Sequence, residues 1–242
     1  MRLRSTPILL EGIGADDCFG YRRGVVDPVP LASGRDADVY AIDDRRVLRR
    51  YRKGGDVAAE AAVMAYVGGL GFPVPVVYEA RGTDLVLERL DGGTMLSALV
   101  AGQLDALAAA DCLADLHRRL HALPPRLGER DEDRILHLDL HPDNVMLTSR
   151  GPVLIDWRNA TEGPPNLDVA LSAVILAQVA VDGEHPLAPP AATLLDAFLN
   201  RVGGGLLTVL DDAVAVRRHD PALTAREREQ LDAAAVLIRG HW

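Results

Sequence analysis

Residues 136–157 concentrate the side chains that could do chemistry. His137, Asp139, His141, Asp143 and Asn144 crowd its start, and Asp156 closes it. Two short apolar runs, residues 145–147 and 153–155, flank Ser149-Arg150-Gly151-Pro152. Apolar runs around such a turn predict a β-hairpin. Folded about that turn, residue 148 faces 153 and residue 145 faces 156. Asn144 and Asp156 then meet at the open end, within a cross-strand spacing of ~5 Å. Asp139 lies on the irregular segment leading into the same end. Two carboxylates and an amide at one point suit a hard divalent cation, which takes oxygen ligands, with a base beside it. A bland reading is a tight polar turn with capping carboxylates. A metal-hydrolase reading would use His137, Asp139 and His141 at alternate strand positions, but it leaves Asn144 and Asp156 idle.

The spacing His137-x-Asp139-x4-Asn144, then Ile155-Asp156-Trp157, resembles the catalytic and metal-binding loops of the protein-kinase-like superfamily. The form His-Leu-Asp-Leu-His-Pro-Asp-Asn, with Ile-Asp-Trp, resembles that of its aminoglycoside phosphotransferase and choline kinase branch, which phosphorylates small molecules. The resemblance implies an α+β, bilobal protein-kinase-like fold. After an N-terminal extension (1–24), a small antiparallel sheet with one helix would form an N-lobe (25–90). A mostly helical C-lobe (91–242) would carry the catalytic loop and substrate site. The implied reaction moves the γ-phosphoryl group of ATP to a hydroxyl of a small-molecule acceptor. Asp139 would be the base, and Asn144 and Asp156 would hold Mg²⁺. His137 would bond backbone near the loop, and Asp168 would hold the catalytic loop through backbone hydrogen bonds. The plain alternative for Asp168, at the start of the apolar helix 169–181, is stabilisation of a helix N-terminus.

The elements that must position these groups are legible in part. Residues 29–51 read as strands around Asp43-Asp44-Arg45-Arg46. Set against a kinase glycine-rich loop, Gly34 takes the middle glycine and Val39 the valine, with Ala32 and Ala37 at the outer glycines. A loop of small residues lets backbone N–H groups approach phosphates. Arg49 stands where the family places its phosphate-binding lysine. Strand alternation puts Val47 and Arg49 on one face, Leu48 and Arg50 on the other. Asp56 is a suitable N-cap for the next helix. Between residues 57 and 67 the only charge is Glu60, and a lone carboxylate in an apolar helix needs a partner. The resemblance names that partner as Arg49. Residues 76–79 and 85–90 read as strands, and Asp91-Gly92-Gly93 breaks the second. In the family this segment is the hinge, so the Glu88 carbonyl and Leu90 N–H would bond adenine.

Beyond the hinge the pattern turns helical, apart from the hairpin. Leu104, Leu107, Leu113, Leu116, Leu120 and Leu123 predict an amphipathic helix. His117 and His121 lie one turn apart on it, with no third metal ligand in view, and suit its polar last turns. Residues 157–165 read as a loop. Further helices are expected at 191–201, 206–217 and 225–239, the last opened by a capping box, Thr224 with Glu227. Glu162, Asp211 and Asp212 are candidates for the acceptor pocket.

Composition narrows the classes. Of 242 residues, 48% are hydrophobic, so the chain is globular. A net charge of −9 offers no basic face, so nucleic acid is not an expected partner. Cys18 and Cys112 are too few for a disulfide framework or a zinc site, which fits a reducing, cytoplasmic setting. No apolar run is long enough to span a membrane, and the apolar core near Ile8 is shorter than a signal peptide requires. The single lysine, Lys53, precedes Gly54, so no Walker A loop exists. Within the kinase-like class, choline-, homoserine- and fructosamine-type kinases share these loops. Arg49 and the missing glycines also admit a weak or inactive nucleotide-binding protein. Face alternation makes one test immediate. Arg49→Ala should weaken ATP binding, measured by calorimetry, and Arg50→Ala should not; equal losses would mean the register is off by one.

Overall fold

The computed structural model describes residues 29–54, 57–128 and 130–242. The expected extension (1–24) and the Asp56 cap lie outside the described residues. The chain opens as an antiparallel sheet of order β1-β2-β3-β5-β4. Its strands are β1 (Ala32–Ser33), β2 (Ala37–Ala41), β3 (Arg46–Tyr51), β4 (Val77–Arg81) and β5 (Asp84–Glu88). A helix, α1 (Ala58–Gly69), enters between β3 and β4 and buries Glu60, Ala61, Val63, Met64 and Val67. Leu48 and Leu85 are fully buried. Val47 and Arg49 face the cleft between the lobes. The alternation read from the sequence thus holds along β3.

The second lobe is helical: α2 (Met95–Val100), α3 (Ala106–His121), α4 (Pro165–Val181), α5 (Ala188–Val202), α6 (Leu210–Arg218) and α7 (Ala225–Arg239). Helix α4 buries ten successive-face positions from Asp168 to Gln178. A helix apolar all round can only be central, and α3, α5, α6 and α7 pack around it. Thr224 and Glu227 form the expected capping box on α7. Leu107, expected on the apolar stripe of α3, is 59% exposed, and Leu104 and Leu123 fall outside the helix. Among the described residues no single helix is long and apolar enough to cross a membrane.

Strands also occur where helix and loop were expected. Arg134–Leu136 (β7) pairs with Thr161–Gly163 (β10), inside the segment read as a loop. Gly93–Thr94 (β6) pairs with Val145–Thr148 (β8), which pairs in turn with Gly151–Leu154 (β9). The hairpin exists, but its register differs from the expectation. Thr148 faces Gly151 and Val145 faces Leu154. The turn is only Ser149-Arg150. Gly151 (φ 101°) enters the strand, with Thr148 Oγ1 donating to its carbonyl at 2.7 Å. Asn144 therefore pairs with Ile155, whose N–H donates to its carbonyl at 2.9 Å. Asp156 lies one residue beyond.

The hinge is sewn to this hairpin. Gly92 has φ 88°, and a Cβ there would sit 2.0 Å from the Leu147 carbonyl oxygen. Side-chain bonds join the same two segments: Arg150 to Glu88 at 2.7 Å, and the Ser149 N–H to Asp91 at 3.3 Å. Gly92→Ala should therefore cost at least ~2 kcal/mol, from left-handed strain plus a backbone clash. Gly69→Ala meets nothing within 4 Å and ends a helix, so it should be neutral or stabilising by up to ~1 kcal/mol. Thermal unfolding of the two variants checks the contrast.

Candidate functional site

A cleft of about 1360 Å³ separates the lobes, and Gly34, Arg49, Glu60, Glu88, Leu90, Asp139, Asn144 and Asp156 all line it. Its floor is the segment after β7. Leu138 there has φ 62°, a left-handed conformation that a branched, non-glycine residue rarely adopts. The surroundings hold it. Asp168, fully buried at the first turn of α4, accepts the Leu138 N–H at 2.6 Å and the His137 N–H at 3.1 Å. His137 is also fully buried. Its Nε2 lies 3.1 Å from the Ile155 carbonyl, and its Nδ1 accepts the Asp139 N–H at 3.3 Å. Its ring packs edge-on against Trp157 at 4.9 Å. Burial lowers the His137 pKa against the pull of Asp168 and Asp139, so the ring that fits these bonds is neutral, with Nε2 donating.

This brace presents Asp139. The Asn144 Nδ2 donates to the Asp139 carbonyl at 2.8 Å and to its Oδ2 at 3.0 Å. That use of the amide nitrogen leaves the Asn144 Oδ1 with no protein partner among the described residues. His141 begins the 3-10 turn Pro142–Asn144, with Nε2 3.7 Å from Asp139 Oδ2. Arg217 Nη1 stands 3.7 Å from Asp139 Oδ1. Burial raises the Asp139 pKa, but His141, His137 and Arg217 outweigh it and hold the carboxyl below its usual range.

The opposite wall is an ion network. Asp156 is the second non-glycine residue with left-handed φ, 64°, among the described residues, which an aspartate tolerates better than leucine. One carboxylate oxygen accepts from Arg49. Arg49 also donates to Glu60 at 2.9 Å, and the Tyr51 hydroxyl donates to Glu60 at 2.6 Å. Burial lowers the Arg49 pKa, but Asp156 and Glu60 more than reverse this, so Arg49 remains charged. Burial raises the Glu60 pKa, partly offset by Arg49 and Tyr51. Above the network, the Gly34 N–H closes the β1–β2 turn on the Ala37 carbonyl at 2.9 Å. Arg35 reaches across the cleft to Glu227 at 2.6 Å, and Asp36 to Arg158 at 2.9 Å.

The sequence profile of the phosphotransferase enzyme family matches residues 27–132 and 96–205. The chain belongs to that family. No curated protein sequence matches it. Among solved structures it is similar to the gentamicin–APH(2")-IIa complex at 12% identity and TM-score 0.54, covering 87% of this chain and 90% of that one. It is similar to the amicoumacin kinase hAmiN in complex with AMP-PNP, Ca²⁺ and Ami at 15% identity and TM-score 0.55, covering 90% and 89%. It is also similar to an aminoglycoside-3'-phosphotransferase of type VIII at 20% identity and TM-score 0.51, covering 90% and 94%. Likenesses at these identities show the fold, and that fold is the bilobal one.

The sequence expectations for the acceptor pocket fail in this phosphotransferase, and the two α3 histidines differ in setting. Glu162 does not reach the cleft: it accepts the N–H groups of Arg126, Leu127 and Gly128 at 2.7–3.0 Å, and so fixes a loop. Asp211 pairs with Arg239 on the outer surface, and neither it nor Asp212 lines the cleft. His117 and His121 lie in the last turns of α3 as expected, but they face inward: His117 is buried, and both converge on Asp168. Arg217, Asp220 and Gln178 were missed. Arg217 bonds Asp220 at 3.0 Å and Gln178 at 3.0 Å while standing beside Asp139. No local pattern marks an arginine in α6 as facing a loop 78 residues earlier (217 against 139). Asp168 carries the strained segment, so Asp168→Ala should cost about 3–5 kcal/mol, the range for orphaning buried partners. Amide exchange at His137 and Leu138 should accelerate in the same variant; unchanged protection there would remove Asp168 from this role.

Proposed function

We propose that this phosphotransferase moves the γ-phosphoryl group of ATP to a hydroxyl of a small molecule. The observation that carries the reading is the convergence of Asp139, Asn144 and Asp156 with the Arg49–Glu60 pair on one cleft. Adenine would bond the Glu88 carbonyl and the Leu90 N–H at the hinge, with the Gly34 turn over the phosphates. The site fits a hard cation such as Mg²⁺: Asn144 Oδ1 and the second Asp156 carboxylate oxygen are oxygen donors without protein partners among the described residues. Such an ion supplies charge neutralisation across the phosphates. The structures bound to AMP-PNP and Ca²⁺, and to gentamicin, support a nucleotide, a divalent cation and a small-molecule acceptor for this cleft.

The residues then divide the work. Asp139 orients the acceptor hydroxyl and takes its proton as the new O–P bond forms. The bond from the γ-phosphorus to its bridging oxygen breaks, and ADP leaves. Arg49, aimed by Glu60, grips phosphate oxygens; arginine does this bidentately. Positioning and charge neutralisation carry the rate, because little covalent chemistry is asked of the protein. Arg217 steadies the Asp139 carboxylate from the acceptor side. A second reading, nucleotide binding with weak or no turnover, draws on the bond by which Arg49 already occupies one oxygen of Asp156.

A panel of hydroxyl-bearing acceptors with ATP and Mg²⁺, read by ADP release, separates the two. Asp139→Asn should lower turnover by roughly 10²–10⁴ and leave ATP–Mg²⁺ affinity within a few fold. Because the Asp139 carboxyl lies below the ordinary value of 3.8, it stays ionised as the pH falls from 7 to 5. Its acid limb in kcat/KM should therefore lie below pH 3.8. A limb near pH 6 that survives in Asp139→Asn would assign the base elsewhere. Absence of turnover in the parent with every acceptor would favour the binding-only reading.

A further inference from the structure

Behind the catalytic segment, away from the cleft, lies a second cluster. His117 and His121 sit one turn apart on α3 and converge on Asp168 of α4. His121 Nε2 is 2.9 Å from Asp168 Oδ2, and His117 Nδ1 is 3.4 Å from the same oxygen. Asp168 and His117 are 0% and 2% exposed.

The proton positions around His117 are constrained. Ser172 Oγ lies 2.7 Å from the Leu140 carbonyl, which accepts only, so the hydroxyl donates there. Its remaining capacity is as an acceptor, and His117 Nε2 at 2.9 Å must supply the proton. In the neutral ring, Nδ1 then carries a lone pair directed at a carboxylate oxygen. Nδ1 is buried and has no hydrogen-bond partner among the described residues. Two facing lone pairs in a buried site repel unless a cation lies between them. A proton on Nδ1 would draw the pair to about 2.7–2.9 Å, the length of charge-assisted bonds. The observed 3.4 Å is longer than that and close to the ligand–ligand edge of a tetrahedral centre, roughly 3.3–3.4 Å for bonds of 2.0–2.1 Å, whereas the His121–Asp168 contact is at hydrogen-bond length, 2.9 Å, and would widen on taking up an ion.

We propose that His117 Nδ1, His121 Nε2 and Asp168 Oδ2 form a binding site for a divalent transition-metal ion of the zinc type. Two imidazoles one helical turn apart plus one carboxylate is a donor set that such ions take, with water as the fourth ligand. The surrounding bonds already serve the site. His117 Nε2 donates to Ser172, which fixes the tautomer that leaves Nδ1 free to ligate. Asp168 Oδ1 is held by the Leu138 N–H. His121 borders an outer groove lined by Asp111, Asp115, Arg118 and Arg201, which gives the ion and its water a route in. Because Asp168 also carries the His137 and Leu138 amides, an ion here clamps the segment that presents Asp139. This role is structural and does not depend on the phosphotransfer chemistry proposed for the cleft.

The test uses the full chain stripped of metal with a chelator. Zn²⁺ in small excess should raise the thermal midpoint by several degrees. His117→Gln and His121→Gln should each abolish that rise, and Asp156→Ala, at the cleft, should retain it. No rise in the parent, or a rise retained in both histidine variants, would overturn the proposal. Co²⁺ added to the unaltered chain covers the case in which a variant fails to fold. It should give the intense visible absorption of a four-coordinate centre, saturating at one ion per chain and displaced by one equivalent of Zn²⁺. Only the weak absorption of six-coordinate Co²⁺ would overturn the site.

Discussion

One buried carboxylate holds the cleft's geometry. Asp168 sits at the start of the central helix with no exposure, and its charge is offset by two backbone N–H groups and the His121 imidazole. Burial alone would drive its pKa up; the hydrogen bonds it accepts reverse that and hold it below the usual range. The bonds to the backbone keep Leu138 in a conformation worth about 1–3 kcal/mol of strain. That strain sets the direction of Asp139. The rigid α4 thus transmits its position through one side chain to the residue presented in the cleft.

The second organising contact is Arg49. It joins the sheet to α1 through Glu60 and to the hairpin end through Asp156, with its side chain only 12% exposed. Breaking the buried Arg49–Glu60 pair by removing one partner is expensive, about 3–5 kcal/mol, because the other is left uncompensated; Asp156, 37% exposed, contributes less. The contacts that cross the mouth of the cleft differ in kind. Arg35–Glu227 and Asp36–Arg158 each include side chains well exposed to solvent, Arg35 at 57%, and pairs of that sort are worth about 0–1 kcal/mol each. The β1–β2 turn can therefore lift at little cost, while the base of the cleft stays fixed.

The hinge shows how few residues set the relation between lobes. Gly92 lies against the Leu147 carbonyl with no room for a Cβ, and β6 pairs directly with β8, the first strand of the hairpin. The Glu88 and Asp91 side chains tie the hairpin's tip to the same segment. Cleft wall and hinge are one hydrogen-bonded unit, so the distance between the hinge and Asn144 is fixed by a short ladder rather than by a linker.

Much of this was legible in the residue order, for identifiable reasons. The α+β class agrees with alternation in the first third and helical periodicity after it; the bilobal arrangement came from the resemblance of one polar cluster to a known pair of loops. That Glu60 needs a partner follows from a lone charge among alanines and valines; its pairing with Arg49 came from the resemblance. Alternation along β3 is local, so Arg49 and Arg50 separate correctly. What failed depends on how chain segments meet. The hairpin register turned on whether Gly151 ends the turn or enters the strand, and composition does not distinguish the two. Glu162 and Asp211 look alike as exposed acids until packing sends one to a loop's amides and the other to Arg239. Arg217 beside Asp139, and the two histidines on Asp168, bring together residues tens of positions apart. The sequence by itself determined which groups lie on each strand and helix face, because those periods are set by backbone geometry. The tertiary structure alone decided which faces meet, because that depends on the packing of α3, α4 and α6 as whole bodies.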